Sequence, residues 1–374
     1  MSLGGSKVKR IKSAQRLMLV SVLALAATGC SKELILDGLR EDIRSPGYDV
    51  ADPAAVANAT EAATELDASF ENQSRPISLG AGVSPASWTH RGANAQHRLP
   101  NAALSAQPAV VWKSAAGTGN KRKFRITAEP VADGGRVFAM DSLAEVSGHA
   151  IGGKALWTTD LTPPGERAGS GSGGGLALGD GKLFATTTFG ELVALNPTSG
   201  EILWRQKLDA AVNGAPTVAN GRVFVTTANS VAFAINTDTG RIDWRLAGVP
   251  TSVGVSGTAA PAISGNAVIF PLANGSMISV DVAKGKPTWV ARVAGDRPGR
   301  GRRALQAFTG EPVVVGGTVY AANASGRAVA VNLRDGKEIW NVAEGAQGTM
   351  AVAGGSVFFV NDEAKLVRLS ASSG

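Results

Sequence analysis

Cysteine, histidine and aromatic residues are scarce in this sequence. Cys30 is the single cysteine among 374 residues, so a disulfide within the chain is excluded. The three histidines, His90, His97 and His149, are scattered without the spacing of metal ligands, and we expect them in surface or turn positions. The sequence also shows no serine, histidine and aspartate motif of the kind that forms a catalytic triad. These absences argue against a metal centre and against a hydrolytic site.

Charge is also low, at 18% of residues, and it is unevenly placed. Basic residues in the first 29 positions, a stretch without acid, supply five of the +7 net charges, and the remainder of the chain carries only +2. A body so close to neutral lacks the basic surface that nucleic acid requires, so no nucleic-acid partner is expected. The five residues are Lys7, Lys9, Arg10, Lys12 and Arg16.

The apolar run at residues 17–27 is too short to span a bilayer and follows a basic start, as in a secretory signal. It ends at residues 27–30 (Ala-Thr-Gly-Cys), which resemble the cleavage box of bacterial lipoproteins. The resemblance implies a signal peptide over residues 1–29, a lipidated Cys30 at the mature N-terminus and, from Ser31, sorting to the outer membrane. A free or buried thiol is the alternative role of the cysteine.

Residues 30–87 differ in composition from the rest of the chain. Alanine, aspartate and glutamate dominate this stretch, prolines are scattered through it, and aliphatic residues larger than alanine are few. Such a composition buries too little apolar surface to offset the entropy of ordering the chain. We therefore expect a lipid-anchored flexible tether over residues 30–87, followed by the folded body over residues 88–374.

A glycine followed four residues later by a tryptophan recurs five times, at intervals of 40 to 51 residues. The pairs are Gly153/Trp157, Gly200/Trp204, Gly240/Trp244, Gly285/Trp289 and Gly336/Trp340. A short motif at this period marks one structural unit repeated around a ring or along a stack. The chain is therefore predicted to form one repeat domain rather than several unrelated ones.

Residues 216–246 show the pattern of one unit, with four short apolar strands separated by turn residues. Asn220-Gly221, the first turn, is a strong hairpin signal. Four antiparallel strands joined by hairpins form a β-propeller blade, so the predicted fold class is all-β. We expect the motif glycine to supply a left-handed turn residue and the tryptophan to pack on the neighbouring blade. This structural role is assigned to Trp112, Trp157, Trp204, Trp244, Trp289 and Trp340.

The spacing Asn-x-x-x-Gly-x-x-x-Trp, seen at residues 196–204 and 332–340, resembles the repeat of the pyrroloquinoline-quinone (PQQ) type of propeller. Residues 88–97 are similar to a cluster that precedes the first blade in many such proteins. With the lipoprotein signal, the chain resembles the propeller lipoproteins of the outer-membrane β-barrel assembly (BAM) machinery. The resemblance implies eight blades and a non-enzymatic scaffold at the outer membrane, facing the periplasm, that assists the folding and insertion of outer-membrane proteins.

The same resemblance implies binding to the periplasmic domains of BamA, the barrel-assembly protein, and association with the other lipoproteins of the machinery. In the family, two neighbouring loops between blades contact BamA, and they correspond here to residues 253–261 and 303–312. This chain lacks the family's arginine and acidic residues in these loops. The expected partner-binding residues are Val253, Val255, Ser256, Leu305, Ala307, Phe308 and Thr309. Alternatively, the apolar members of this set pack beneath the blade loops.

Two other functions stay open. A quinone-dependent dehydrogenase needs a cofactor pocket with a calcium ion and, in that family, a pair of adjacent cysteines and a catalytic aspartate. The single cysteine of this chain counts against that activity. A periplasmic propeller that binds a small ligand or a cell-wall polymer is the second alternative. We expect no enzyme activity, no catalytic residue, no metal and no cofactor.

The two ends of the repeat predict how the ring closes. Residues 109–113 contain a tryptophan without three preceding strands, so we expect them to form the strand that completes the last blade. Gly374 occupies the position of a motif glycine, so the repeat predicts a tryptophan four residues after it. We expect about six blades in this sequence and, for an eight-bladed ring, roughly 80 to 90 further residues, so the chain is predicted to be C-terminally truncated.

Overall fold

The computed structural model describes residues 75–248, 259–295 and 306–374, which form an all-β architecture. Six antiparallel sheets, five of four strands and one of three, follow one another along the chain. Consecutive strands are hydrogen-bonded neighbours within each sheet, so every sheet is a meander. The predicted β-propeller blades are thus confirmed, and we name them A to F in chain order. No helix in the described ranges is long and apolar enough to cross a membrane.

The strands of the six blades have the following bounds. Blade A contains β1 (Val131–Asp133), β2 (Arg136–Met140), β3 (Glu145–Ala150) and β4 (Ala155–Asp160); blade B contains β5 (Gly174–Gly179), β6 (Lys182–Thr187), β7 (Glu191–Leu195) and β8 (Ile202–Lys207). Blade C contains β9 (Thr217–Ala219), β10 (Arg222–Thr226), β11 (Val231–Asn236) and β12 (Ile242–Ala247); blade D contains β13 (Ala262–Ser264), β14 (Ala267–Pro271), β15 (Ser276–Asp281) and β16 (Pro287–Arg292). Blade E contains β17 (Val313–Val315), β18 (Thr318–Asn323), β19 (Arg327–Asn332) and β20 (Glu338–Val342); blade F contains β21 (Ala351–Ala353), β22 (Ser356–Val360) and β23 (Leu366–Ser370).

The hydrophobic core is divided into five clusters, each between two successive blades. Side chains alternate between the two faces of a strand, so one strand supplies both of its neighbouring clusters. In β6, for example, Leu183 and Ala185 face blade A, whereas Phe184 faces blade C. Each inner blade is therefore apolar on both faces, and it is stable only when a blade lies on either side.

The motif tryptophan of each complete blade lies over the motif glycine of the next blade. A methyl group on Gly200 would stand 2.4 Å from the ring of Trp157, and one on Gly240 would stand 2.8 Å from the ring of Trp204. The same stacking joins Trp244 to Gly285, Trp289 to Gly336 and Trp340 to Gly374. The indole N–H groups donate to main-chain carbonyls of the next blade at 2.8 to 3.2 Å. The glycines have φ between 64° and 88°, so they also supply the predicted left-handed turn residue.

Residues 88–97, which we call the central segment, lie along the first strands of blades A to E. The N–H of Trp88 donates to the carbonyl of Ala132 in β1 at 2.7 Å, and the N–H of Ala132 donates to the Trp88 carbonyl at 2.8 Å. Further along the segment, the carbonyls of Thr89, Ala95 and Gln96 and the ring of His90 accept N–H groups from the next four blades. The donors are Leu178, Val218, Ile263 and Val314. These four residues and Ala132 each stand two positions before the first hairpin of their blade, so one segment satisfies the same inner position in five blades.

The strand expected at residues 109–113 is absent from the structure. These residues are exposed, and no strand of the described ranges lies alongside to pair with them. A β-strand needs a hydrogen-bonded neighbour, and the blade that residues 109–113 are expected to complete is not among the six described sheets, so this expectation stays a prediction. Trp112 nevertheless takes the position of a motif tryptophan, because a methyl group on Gly153 of blade A would stand 2.9 Å from its ring.

Candidate partner-binding surface

Two loops between blades carry the predicted partner-binding residues, one between β12 and β13 and the other between β16 and β17. Both leave a fourth strand and enter a first strand, so the meander places them on one face of the propeller, which we call the interblade face. Val253, Val255, Ser256 and Leu305 lie outside the described residues, as does the predicted lipidation site Cys30.

The described flanks of the two loops meet. The N–H of Ala259, directly after the first loop's undescribed part, donates to the carbonyl of Phe308 in the second loop at 3.3 Å. The N–H of Ala260 donates to the Glu311 carboxylate at 3.4 Å. The two loops are therefore neighbours, which is the arrangement that the resemblance implies.

The structure does not expose the second-loop residues predicted to bind a partner, Ala307, Phe308 and Thr309, as an open contact patch. Ala307 and Phe308 are buried, and Phe308 packs in the core cluster between blades D and E with Met277 and Val293. The Thr309 hydroxyl is buried without a described hydrogen-bond partner. The burial of Phe308 favours the alternative in which this residue packs beneath the loop and supports it from below.

Two cavities adjoin the blades, and neither matches a typical ligand pocket in size. One of about 30 Å³ lies between blades C and D, against Ala259, Leu272 and Phe308. The other, of about 200 Å³, lies between blades A and B beside Arg136 and Lys182. Small-molecule pockets usually enclose roughly 300–1,000 Å³. Within the described ranges, no three His, Cys, Asp or Glu side chains are grouped to hold a metal ion.

A buried ion pair holds the second loop to the central segment. Arg91 Nη1 lies 3.0 Å from Glu311 Oε1, and the Glu311 side chain is fully buried. The Thr349 hydroxyl donates to the other carboxylate oxygen. Arg91 Nε also lies 3.1 Å from Glu129 Oε1, on a side chain that is 48% exposed. The guanidinium thus joins residues that precede the first strands of blades A and E.

All three histidines are buried, so the expectation of surface positions was wrong, whereas His90 and His97 do stand in turns, closed by hydrogen bonds from Ala93 N–H to the His90 carbonyl and from His97 N–H to the Asn94 carbonyl. His90 Nε2 accepts the N–H of Val218 at 2.9 Å, and His97 Nδ1 donates to the Pro312 carbonyl at 3.0 Å. Burial lowers the pKa of His90 to about 3, with a further contribution from the charge of His97. Burial likewise lowers the pKa of His97 to about 4. Both rings are therefore neutral at pH 7, as an apolar interior requires.

The pairing of Arg91 with Glu311 was not predicted from the sequence. A signal for it was present, because Glu129 and Glu311 each stand directly before the proline that opens a blade. The two acids occupy the same position of the repeat in blades A and E. In a propeller, equivalent positions of different blades surround the same axis, so one arginine of the central segment can contact both.

The blades, their Trp-on-Gly stacking and the segment before the first blade define a β-propeller of the PQQ-type repeat. A family model described as outer membrane protein assembly factor BamB matches residues 144–374. The chain belongs to this family.

Individual relatives and solved structures are also similar to this chain. Outer membrane protein assembly factor BamB of Salmonella typhimurium is 32% identical over 283 residues, which cover 74% of this chain and 71% of the relative. The crystal structure of BamB from Moraxella catarrhalis superimposes with a TM-score of 0.55 at 22% identity, over 66% of this chain and 70% of that one. Quinohemoprotein alcohol dehydrogenase from Comamonas testosteroni gives a TM-score of 0.56 at 16% identity, over 73% and 57%. At such identities the two structures share the fold.

Proposed function

We propose that this protein is a non-enzymatic scaffold lipoprotein of the outer-membrane β-barrel assembly machinery. It is held at the outer membrane by a lipid on Cys30, faces the periplasm, and binds the periplasmic domains of a BamA-like protein beside the other lipoproteins of the machinery. In this role it assists the folding and insertion of outer-membrane proteins. Membership of the BamB family is the observation that carries the proposal.

The geometry of the two loops supports the proposal. The hydrogen bond from Ala259 to Phe308 joins the described flanks of the two loops, which supports one partner that contacts both. Val253 and Val255 are the proposed apolar anchors of the first loop, and Leu305 is that of the second. Interface anchors of this kind carry most of the binding energy. Phe308 acts from below, because it fixes the base of the second loop in the core.

The non-enzymatic role rests on family membership and on the sequence. The dehydrogenase that shares the fold is only 16% identical, so this likeness concerns the architecture alone and lends no support to the same activity. The chain also has one cysteine and therefore lacks the adjacent pair of the quinone enzymes.

Affinity capture from membranes tests the proposal. The tagged full-length protein should co-purify a BamA-like protein, and the double variant Val253→Asp/Val255→Asp should lose it, because a charge cannot enter an apolar contact without a partner. Val290→Asp/Val360→Asp is the matched control, since these valines are 62% and 58% exposed on strands β16 and β22. Equal capture by the loop variant and the wild type would contradict the loop assignment. Absence of any BamA-like protein from the wild-type sample would contradict the function.

A further inference from the structure

A cluster of positive charge lies on the interblade face, apart from the two partner loops. Residues 121–125 read Lys-Arg-Lys-Phe-Arg, and their four cationic side chains are exposed. We call these residues the basic turn. The segment on either side is fixed to the interblade face, because Thr118 N–H donates to Asp141 at 2.7 Å and Thr127 hydroxyl donates to the Gly174 carbonyl at 3.0 Å.

The basic turn has a defined conformation. Lys121 N–H donates to the Phe124 carbonyl at 2.8 Å, and Phe124 N–H donates back at 3.2 Å. The Phe124 ring points inward over Gly169, where a methyl group would stand 3.0 Å from it. Arg125 N–H donates to the Ser172 hydroxyl at 2.9 Å. The aromatic ring thus anchors the turn, and the four cations are held outward at little further cost in backbone entropy.

These cations have no acidic partner in the part of the chain that the structure describes. The ion pairs of the described residues involve Arg91, Lys182, Arg205, Arg222 and other cations, but none of the four in the turn. Four like charges within five residues repel one another, and an anionic surface removes that cost. The cluster therefore presents unbalanced charge toward whatever faces this side of the propeller.

We propose that the basic turn binds the phosphate groups of an anionic phospholipid surface. Each lysine or arginine next to an anionic leaflet strengthens attachment about fivefold, so four clustered cations give a substantial effect without a pocket. A five-residue turn offers far less than the roughly 1,200–2,000 Å² that a specific protein interface buries, which favours a lipid surface over an acidic protein. The inference is independent of the partner loops and of the lipid on Cys30.

Vesicle flotation of the full-length protein tests this assignment. Vesicles of phosphatidylcholine alone are compared with vesicles that also contain phosphatidylglycerol, at low and at high salt. We expect the fourfold variant Lys121→Gln/Arg122→Gln/Lys123→Gln/Arg125→Gln to bind the anionic vesicles at least about tenfold more weakly than the wild type at low salt. Binding to neutral vesicles should not change, and high salt should remove the difference. The N-terminal region contributes equally in every variant.

A matched control separates clustering from net charge. Four exposed cations follow the motif glycine in separate blades, on the opposite face of the propeller. They are Lys154, Arg241, Lys286 and Lys337. Their fourfold glutamine variant removes the same charge and should retain binding. The variant Arg122→Lys/Arg125→Lys keeps four cations in the turn and should also retain binding to anionic vesicles. It shows whether substitution in the turn by itself disturbs the fold.

Three results would overturn the proposal. The turn variant could bind anionic vesicles as well as the wild type does. The dispersed variant could lose as much binding as the turn variant, which would assign the effect to net charge. Alternatively, the turn variant could lose binding to immobilised polyglutamate but not to vesicles, which would assign the turn to an acidic protein partner.

Discussion

The repeated blades and the non-repeated central segment stabilise the same ring by different physical means. Between blades, apolar side chains and the stacked tryptophans exclude water, and the contact recurs with every copy of the motif. In the central segment, hydrogen bonds to five blades, an ion pair and two neutral histidines hold the blades together. Apolar packing tolerates variation at each copy, whereas a buried polar network depends on every member.

The largest effect that this comparison predicts is at the ion pair. Arg91→Ala should lower the free energy of unfolding by about 3–5 kcal/mol, because it leaves the fully buried Glu311 carboxylate without a counter-charge. Glu129→Gln removes the exposed partner of the same arginine and should cost under about 1 kcal/mol. Urea unfolding measures both values. Similar losses in the two variants would show that the central segment is no more sensitive than the surface.

A pair of glycines in blade C gives the next largest effect. Gly221 and Gly240 have φ of 73° and 69°, but a methyl group on Gly221 meets nothing within 4 Å, whereas one on Gly240 meets the Trp204 ring at 2.8 Å. Gly221→Ala should cost about 1–2 kcal/mol for the left-handed backbone alone. Gly240→Ala should cost about 1–3 kcal/mol more, because the ring must move. Equal thermal shifts for the two variants would contradict the packing role of the glycine.

The smallest effect concerns the two buried histidines. Their folded pKa values, about 3 and 4, lie below the unfolded value of 6.5, so the unfolded chain binds more protons between those limits. Stability is therefore complete above about pH 7 and is lost as the pH falls. Between pH 7.5 and 6 each histidine should account for about 0.8 kcal/mol.

A substitution at His97 isolates one of these contributions. His97→Asn keeps an N–H donor for the Pro312 carbonyl but does not titrate, so its stability should fall less steeply with pH. The measurement is the free energy of unfolding at several pH values. An unchanged slope would mean that His97 does not carry the dependence.

The sequence predicted the features that recur. Asn220-Gly221 and its counterparts gave the hairpins, because their turn type requires φ above zero at both positions. The Gly and Trp spacing gave the blade contacts, although it did not reveal that glycine is required twice, for the turn and for the ring above it. Features that depend on pairing across the ring were not predictable, because no local pattern encodes them.

Three particular cases illustrate this limit. Residues 109–113 have the composition of a strand, but composition does not supply a hydrogen-bonded partner, and none of the six described sheets includes them. The histidines were expected in surface or turn positions because their spacing shows no metal site, and spacing alone does not reveal that all three rings are buried. For Phe308 the sequence left open a partner contact or a place beneath the loop, and only its packing in the cluster with Met277 and Val293 favours the second alternative.

The central segment also restricts how the blade number of this protein can change during evolution. Its acceptor atoms occur in a fixed order, from Trp88 opposite blade A to Gln96 opposite blade E, and each serves a different blade. Duplication or loss of a blade between A and E would leave every later acceptor facing the wrong blade. Gene duplication within this array therefore requires a simultaneous change in the segment, whereas a blade added after E keeps all five matches.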